Sequence, residues 1–213
     1  MFRLSSARLA ADLFKADKDR HIADIAVLKS DAMGVRTRAG LAEKLAALPR
    51  LDAAEHDLER LSALPEDTFG HAYARFMLDN GLSPFVLTDA VAPEIRARNA
   101  FVIRYAATHD AFHVLTGFDT SWPGELGVLG FAVGQGYSGF QRFAAVLAFL
   151  VYPFWCGFRV GALVRAWRRG YRLGTRARCV LAEPLEAWFD RPLADVRAQL
   201  GLLDASPPAR EAA

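Results

Sequence analysis

The sequence predicts an all-α fold: a single-domain helical bundle with one very apolar helix pair. Three observations point there. Apolar residues recur at helical i, i+3, i+4 steps, strand signals are few, and the second half carries a long uncharged block followed by arginines. At 213 residues, 53% of them hydrophobic, and a mean hydropathy of +0.12, the chain can bury one sizeable core and stands at the apolar end of soluble proteins.

Residues 1–34 are expected to form an N-terminal helical arm, 35–203 the main helical domain and 204–213 a disordered tail. The start, MFRLSSARLAADLFK, has Arg3, Arg8 and an apolar spacing faintly like a transit peptide. Asp12 comes early and no cleavage pattern follows, which favours an ordinary surface helix. Residues 38–48 and 51–62 read as amphipathic helices split by Pro49. Asp67 or Thr68 opens a helix within 65–77 that carries Phe69, Tyr73 and Phe76 on one side.

Pro93 and Gly117 bound a helix of roughly 22 to 25 residues. Its inward stripe holds Val102, Tyr105, Ala106, His109, His113 and Thr116. Trp122, Pro123 and Gly124 form a turn that starts the next helix and puts Glu125 in its first turn. Pro192 opens the last helix, with Leu193, Val196 and Leu200 on its face, and beyond Leu203 the chain frays.

From Leu126 to Ala182 there is no Asp, Glu, Lys or His, but there are eight arginines: Arg142, Arg159, Arg165, Arg168, Arg169, Arg172, Arg176 and Arg178. The remainder carries 18 basic and 24 acidic residues, a net of −6. Between Arg142 and Arg159 lies FAAVLAFLVYPFWCGF, short of the roughly 20 residues a membrane-crossing helix needs and interrupted by Pro153. A buried core helix competes with a helix pair that dips into the membrane interface or lines a tunnel for a polyprenyl tail, with Tyr152, Trp155 and Trp167 at headgroup level. The arginines suit anionic headgroups or a phosphate, and equally a solvated face. Nucleic acid is disfavoured, because the basic residues adjoin an apolar block and no recognised reading module.

GQGYSG at 134–139 matches a dinucleotide-binding pattern, but no acidic residue lies between Glu125 and Glu183, so that reading is set aside. Gly130, Gly134 and Ser138 instead form a small-residue face where another helix or a prenyl chain can approach closely. Cys156 and Cys179 lack CxxC spacing and read as reduced thiols of a cytosol-facing protein.

The chemistry concentrates in THDAFHVLTGFDTSWPGE at 108–125. His109 and His113 stand one helical turn apart on one face, the spacing two imidazoles need to share a divalent metal, and Glu125 is placed to complete the shell. Zinc, cobalt, manganese or ferrous iron suits such ligands. Asp110 is a further ligand, an orienting partner or a proton acceptor. The competing reading is a pair of core histidines bonded to backbone carbonyls.

HDxxH-x11-E, here His109, Asp110, His113 and Glu125, is the motif of the Coq-four family of ubiquinone (coenzyme Q) biosynthesis proteins, which the chain resembles over roughly residues 35–202. LPEDTFGHAYARFMLDNGLSP at 64–84, HVLTG at 113–117 and EAWFDRPLADVRAQLGL at 186–202 also resemble the family. The stretch after Glu125 is more glycine-rich than in the family, a departure that touches the lipid channel more than the metal site.

The resemblance implies a membrane-peripheral protein of ubiquinone synthesis whose divalent metal, zinc first, is held by those four residues. It implies either oxidative decarboxylation at C1 of a polyprenylated hydroxybenzoate, carboxyl replaced by hydroxyl, or a scaffold that organises other quinone-biosynthesis enzymes. A metal-dependent hydrolase is the remaining alternative. Asp110 and Glu125 are the expected proton handlers, and Arg142, Gly130, Gly134 and Tyr137 the expected substrate and lipid contacts. The expected location is the cytoplasmic face of a bacterial inner membrane or the matrix side of a mitochondrial one. The oligomeric state is open, a homodimer being one option.

Overall fold

A computed structural model describes residues 3–18, 20–48 and 57–203. They form eleven α-helices and two 3-10 turns, and no strand occurs among the described residues. The helix expected at 51–62 lies partly outside them; its described end is a short helix. The expected tail from residue 204 lies outside them as well.

Helices α1 (Leu4–Asp17) and α2 (Ile22–Met33) pack as a hairpin, with Ala10, Ala23, Val27 and Leu28 buried. Two buried carboxylates bind this hairpin to the body. Asp31 accepts from Ser6 Oγ (2.6 Å), from Arg98 Nε and Nη2 (2.8 Å each) and from Asn99 Nδ2 (2.8 Å). Asp24 accepts from the Thr88 backbone N–H (2.9 Å) and hydroxyl (2.8 Å). Each buried charge is thus met by several donors, as burial requires.

After α3 (Ala39–Ala46) and α4 (Leu58–Ser62), Thr68 caps α5 (Phe69–Asp79) by accepting from His71 N–H. The C-terminal segment straps this helix start: Phe69 N–H donates to Arg191 C=O (2.8 Å), Gly70 N–H to Phe189 C=O (2.7 Å) and Leu193 N–H to Asp67 C=O (2.8 Å). Phe69 and Tyr73 are buried in the main core, as expected.

The long helix expected from Pro93 is two helices, α6 (Pro93–Arg98) and α7 (Ala100–Thr116), broken at Asn99. The Asn99 side chain donates to Asp31 and to Ile95 C=O, and its backbone leaves helical geometry at φ −113°, ψ 21°. The helix is diverted where it meets the buried carboxylate.

Helices α8 (Trp122–Gln135), α9 (Gly139–Trp155) and α10 (Val160–Arg176) form the second half. The principal neighbour of α8 is the arginine-bearing α10; its packing on the apolar α9 is slighter. Gly130 and Gly134 pack on the α10 backbone at Trp167 and Tyr171, while Gly170 and Gly174 pack on the α8 backbone at Gly127 and Phe131. A β-carbon at any of these four positions would collide with a backbone carbonyl. Gly130 and Gly134 of the expected small-residue face therefore meet a helix and offer no surface to a prenyl chain, while Ser138 lies beyond the end of α8 and caps α9.

Only Gln141, Ala145 and Ala148 of α9 are buried, whereas Phe143, Val146, Leu147, Leu150, Phe154 and Trp155 are exposed. The core-helix reading fails because the small side chains face in and the large ones out. No described helix is long and apolar enough to cross a membrane. Two 3-10 turns (Val180–Ala182 and Leu185–Trp188) lead to α11 (Leu193–Leu200), whose Val196 and Leu200 are buried.

Candidate metal centre

The site is built where α7 ends and α8 begins. Gly117 adopts the left-handed conformation (φ 69°) that glycine reaches without steric cost, and ends α7 there. This turn brings the Phe118 carbonyl back to 3.3 Å from His113 Nδ1. His113 is 1% exposed, its ring stacked on Phe76 of α5 at 5.2 Å. With Nδ1–H donating to a carbonyl, the Nε2 lone pair is the free one.

All four terminal carbonyls of α7 are satisfied. His113 C=O accepts from Gly117 and Phe118 N–H, Val114 and Leu115 C=O from Arg197, and Thr116 C=O from Arg169. Two guanidinium groups at the negative end of the helix dipole are placed where cations belong. Burial pulls both below the ordinary arginine range.

Ser121 caps α8 by accepting from Gly124 N–H, and Asp119 in turn accepts from Ser121, so the first turn carrying Glu125 is fixed. Glu125 Oε1 lies 3.4 Å from His113 Nε2, and Oε2 3.7 Å from His109 Nε2. The ligand atoms of His109, His113 and Glu125 all fall within 4.8 Å of one another. These separations exceed good N–H···O bonds, and they approach the roughly 3.3 Å edge of a tetrahedron with metal–ligand bonds near 2.0–2.2 Å. The donor set and its spacing fit a divalent cation.

Asp110 sits on the other side of His109, its Oδ1 3.6 Å from Nδ1, an arrangement that orients the ring. Burial pushes the His109 pKa down, but the carboxylates of Asp110 and Glu125 outweigh it, and the net shift is upward. Tyr73, beside Asp110, has its phenol pushed up by burial and by that charge.

The expected substrate contacts are more scattered. Arg142 is exposed on α9. Tyr137 is fully buried, its hydroxyl donating to Gln135 Oε1 (3.0 Å) and accepting from Leu181 N–H (3.2 Å), so it serves the core. Helix spacing put Phe76 on an apolar face but not against His113, and it did not reveal the Phe118 carbonyl; the first needs tertiary contact and the second a backbone turn.

A family model described as coenzyme Q (ubiquinone) biosynthesis protein Coq4 matches residues 36–206. A Bos taurus protein named ubiquinone biosynthesis protein COQ4 homolog, mitochondrial, is 33% identical over 175 residues, 79% of this chain and 62% of that one. Its Danio rerio namesake is 29% identical over 154 residues, 72% of this chain and 56% of that one. The chain thus spans about three-fifths of the length of these curated relatives. A crystal structure from Nostoc punctiforme, named as a candidate ubiquinone biosynthesis protein, superposes with a TM-score of 0.64 at 25% identity, covering 95% of this chain and 99% of that one.

Proposed function

The chain belongs to the Coq4 family of coenzyme Q (ubiquinone) biosynthesis proteins, and from that premise we propose that it catalyses oxidative decarboxylation at C1 of a polyprenylated hydroxybenzoate. The observation that carries this reading is the convergence of His109, His113 and Glu125 at cation-ligating distances. Net, the ring carboxylic acid, dioxygen and water give the ring hydroxyl, CO2 and hydrogen peroxide: the ring carbon loses its carboxyl as CO2, gains a hydroxyl, and the two electrons released reduce dioxygen to the peroxide.

When bound, a divalent metal supplies Lewis acidity at the carboxyl-bearing end of the headgroup; zinc is the first candidate, with cobalt, iron and manganese behind it. His113 is locked by Phe118 and Phe76, so its Nε2 is aimed before substrate arrives. Glu125 faces both imidazoles and acts as a ligand, which leaves Asp110, 26% exposed behind His109, to hold the Nδ1 proton. The prenyl tail and the other quinone-biosynthesis enzymes meet the protein at a membrane surface. The outward apolar residues of α9 support that reading, with Arg142, Arg159, Arg168 and Arg172 exposed in the same half.

The test is mass-spectrometric quinone profiling of the host with His113→Ala at the chromosomal locus. The expected result is accumulation of a prenylated intermediate that keeps its C1 carboxyl while ubiquinone falls. An unchanged profile rejects the catalytic role and leaves the scaffold reading, for which metal ligands are dispensable.

A further inference from the structure

Gln141 is 5% exposed, and neither its amide nitrogen nor its amide oxygen makes a well-formed hydrogen bond among the described residues; only the Tyr105 hydroxyl approaches it. An amide left so in a folded interior is costly, and it needs an explanation. Its position supplies one. Gln141 lies in the first turn of α9, fixed by the Ser138 cap, and its amide faces the Tyr105 hydroxyl of α7. Tyr105 precedes His109 by one helical turn, with the two rings 6.0 Å apart, and both Glu125 and Tyr152 act electrostatically on its phenol. The under-bonded amide thus lies next to Tyr105, whose ring neighbours the candidate metal ligand His109.

The amide offers donors and an acceptor side by side. A prenyl chain satisfies neither, a carboxylate satisfies only the donors, and a cation only the acceptor. A hydroxyl satisfies both. We propose that Gln141, with Tyr105, binds the ring hydroxyl of the aromatic headgroup and so sets which end of the ring meets His109, His113 and Glu125. The spacing agrees: the Tyr105 and His109 rings, one turn apart on α7, have centroids 6.0 Å apart, close to the reach of a benzene ring between para substituents. This assignment rests on the headgroup reading above and adds the residues that recognise the hydroxyl.

The test uses zinc-loaded full-length protein and two probes in calorimetric titration: 3-farnesyl-4-hydroxybenzoate and its deoxy analogue, 3-farnesylbenzoate. The wild type is expected to hold the hydroxylated probe at least about tenfold tighter, the discrimination typical of a buried group built to bond a hydroxyl. Gln141→Leu is expected to bind both within about twofold, with zinc content unchanged and a thermal midpoint no lower, since an under-bonded amide has been removed. Tyr105→Phe, which deletes one oxygen, should give an intermediate preference.

Full discrimination retained by both variants overturns the assignment. Equal binding of the two probes by the wild type also overturns it and leaves the proposed reaction standing. Failure of the wild type to bind either probe overturns the headgroup reading and this assignment together.

Discussion

His109 is poised between two carboxylates, and its role can be separated from that of its neighbours. Asp110 touches its Nδ1 side and Glu125 its Nε2 side. Asp110→Asn should lower metal affinity about 10- to 100-fold in equilibrium dialysis with the helical circular dichroism unchanged, the usual effect of losing an orienting carboxylate. An unaltered affinity would remove Asp110 from the centre. Because the charged imidazole is favoured at His109, a metal must displace its proton, and uptake should weaken as pH falls. At this scale the convergence of His109, His113 and Glu125 was legible, since i, i+4 histidines followed by Glu125 at a helix start need only helical geometry, whereas Asp110, also expected as a ligand, stands outside the cluster. Gln141 was not legible, because the sequence draws attention to the charge of Arg142. Helix phase turns adjacent residues about 100° apart and points the amide inward instead.

Among the elements, the α8–α10 pair depends on four glycines that let two backbones touch. Gly174→Leu should cost about 3 kcal/mol or more in chemical denaturation, because neither backbone can yield to the added side chain. Gly40 in α3 is the contrast, with nothing within 4 Å of an added β-carbon; Gly40→Ala should gain about 0.5–1 kcal/mol. Equal effects at the two sites would contradict the packing. The glycine face on α8 was readable from its four-residue recurrence, but its partner was not, since Gly170 and Gly174 are set among arginines that suggest a solvated helix. The split at Asn99 was equally hidden: its cause is Asp31, distant in sequence and adjacent only after folding.

Across the whole molecule, charge and apolarity segregate. The stretch from Leu126 to Ala182 holds eight arginines and no acidic residue, while the rest is net −6. On the proposed membrane reading, vesicles rich in anionic phospholipid should pellet the protein, neutral vesicles much less, and added salt should weaken binding. Leu150→Asp with Phe154→Asp should abolish it without unfolding, since both side chains are exposed. Wild-type protein left in the supernatant would refute the surface. The all-helical class was legible from periodicity alone, whereas which faces of α9 point outward required the fold.

The chain is also made in an order. Every residue of the candidate metal cluster has been synthesised once Glu125 emerges, before any residue of α9, α10 or α11 exists. Arg169 and Arg197, which close the carbonyls at the end of α7, come only afterwards. A nascent chain folding from its N-terminus can therefore assemble the ligand cluster first and clamp it last. A truncation within the final helix, ahead of Arg197, would leave all three cluster residues encoded and strip the Val114 and Leu115 carbonyls of their donor.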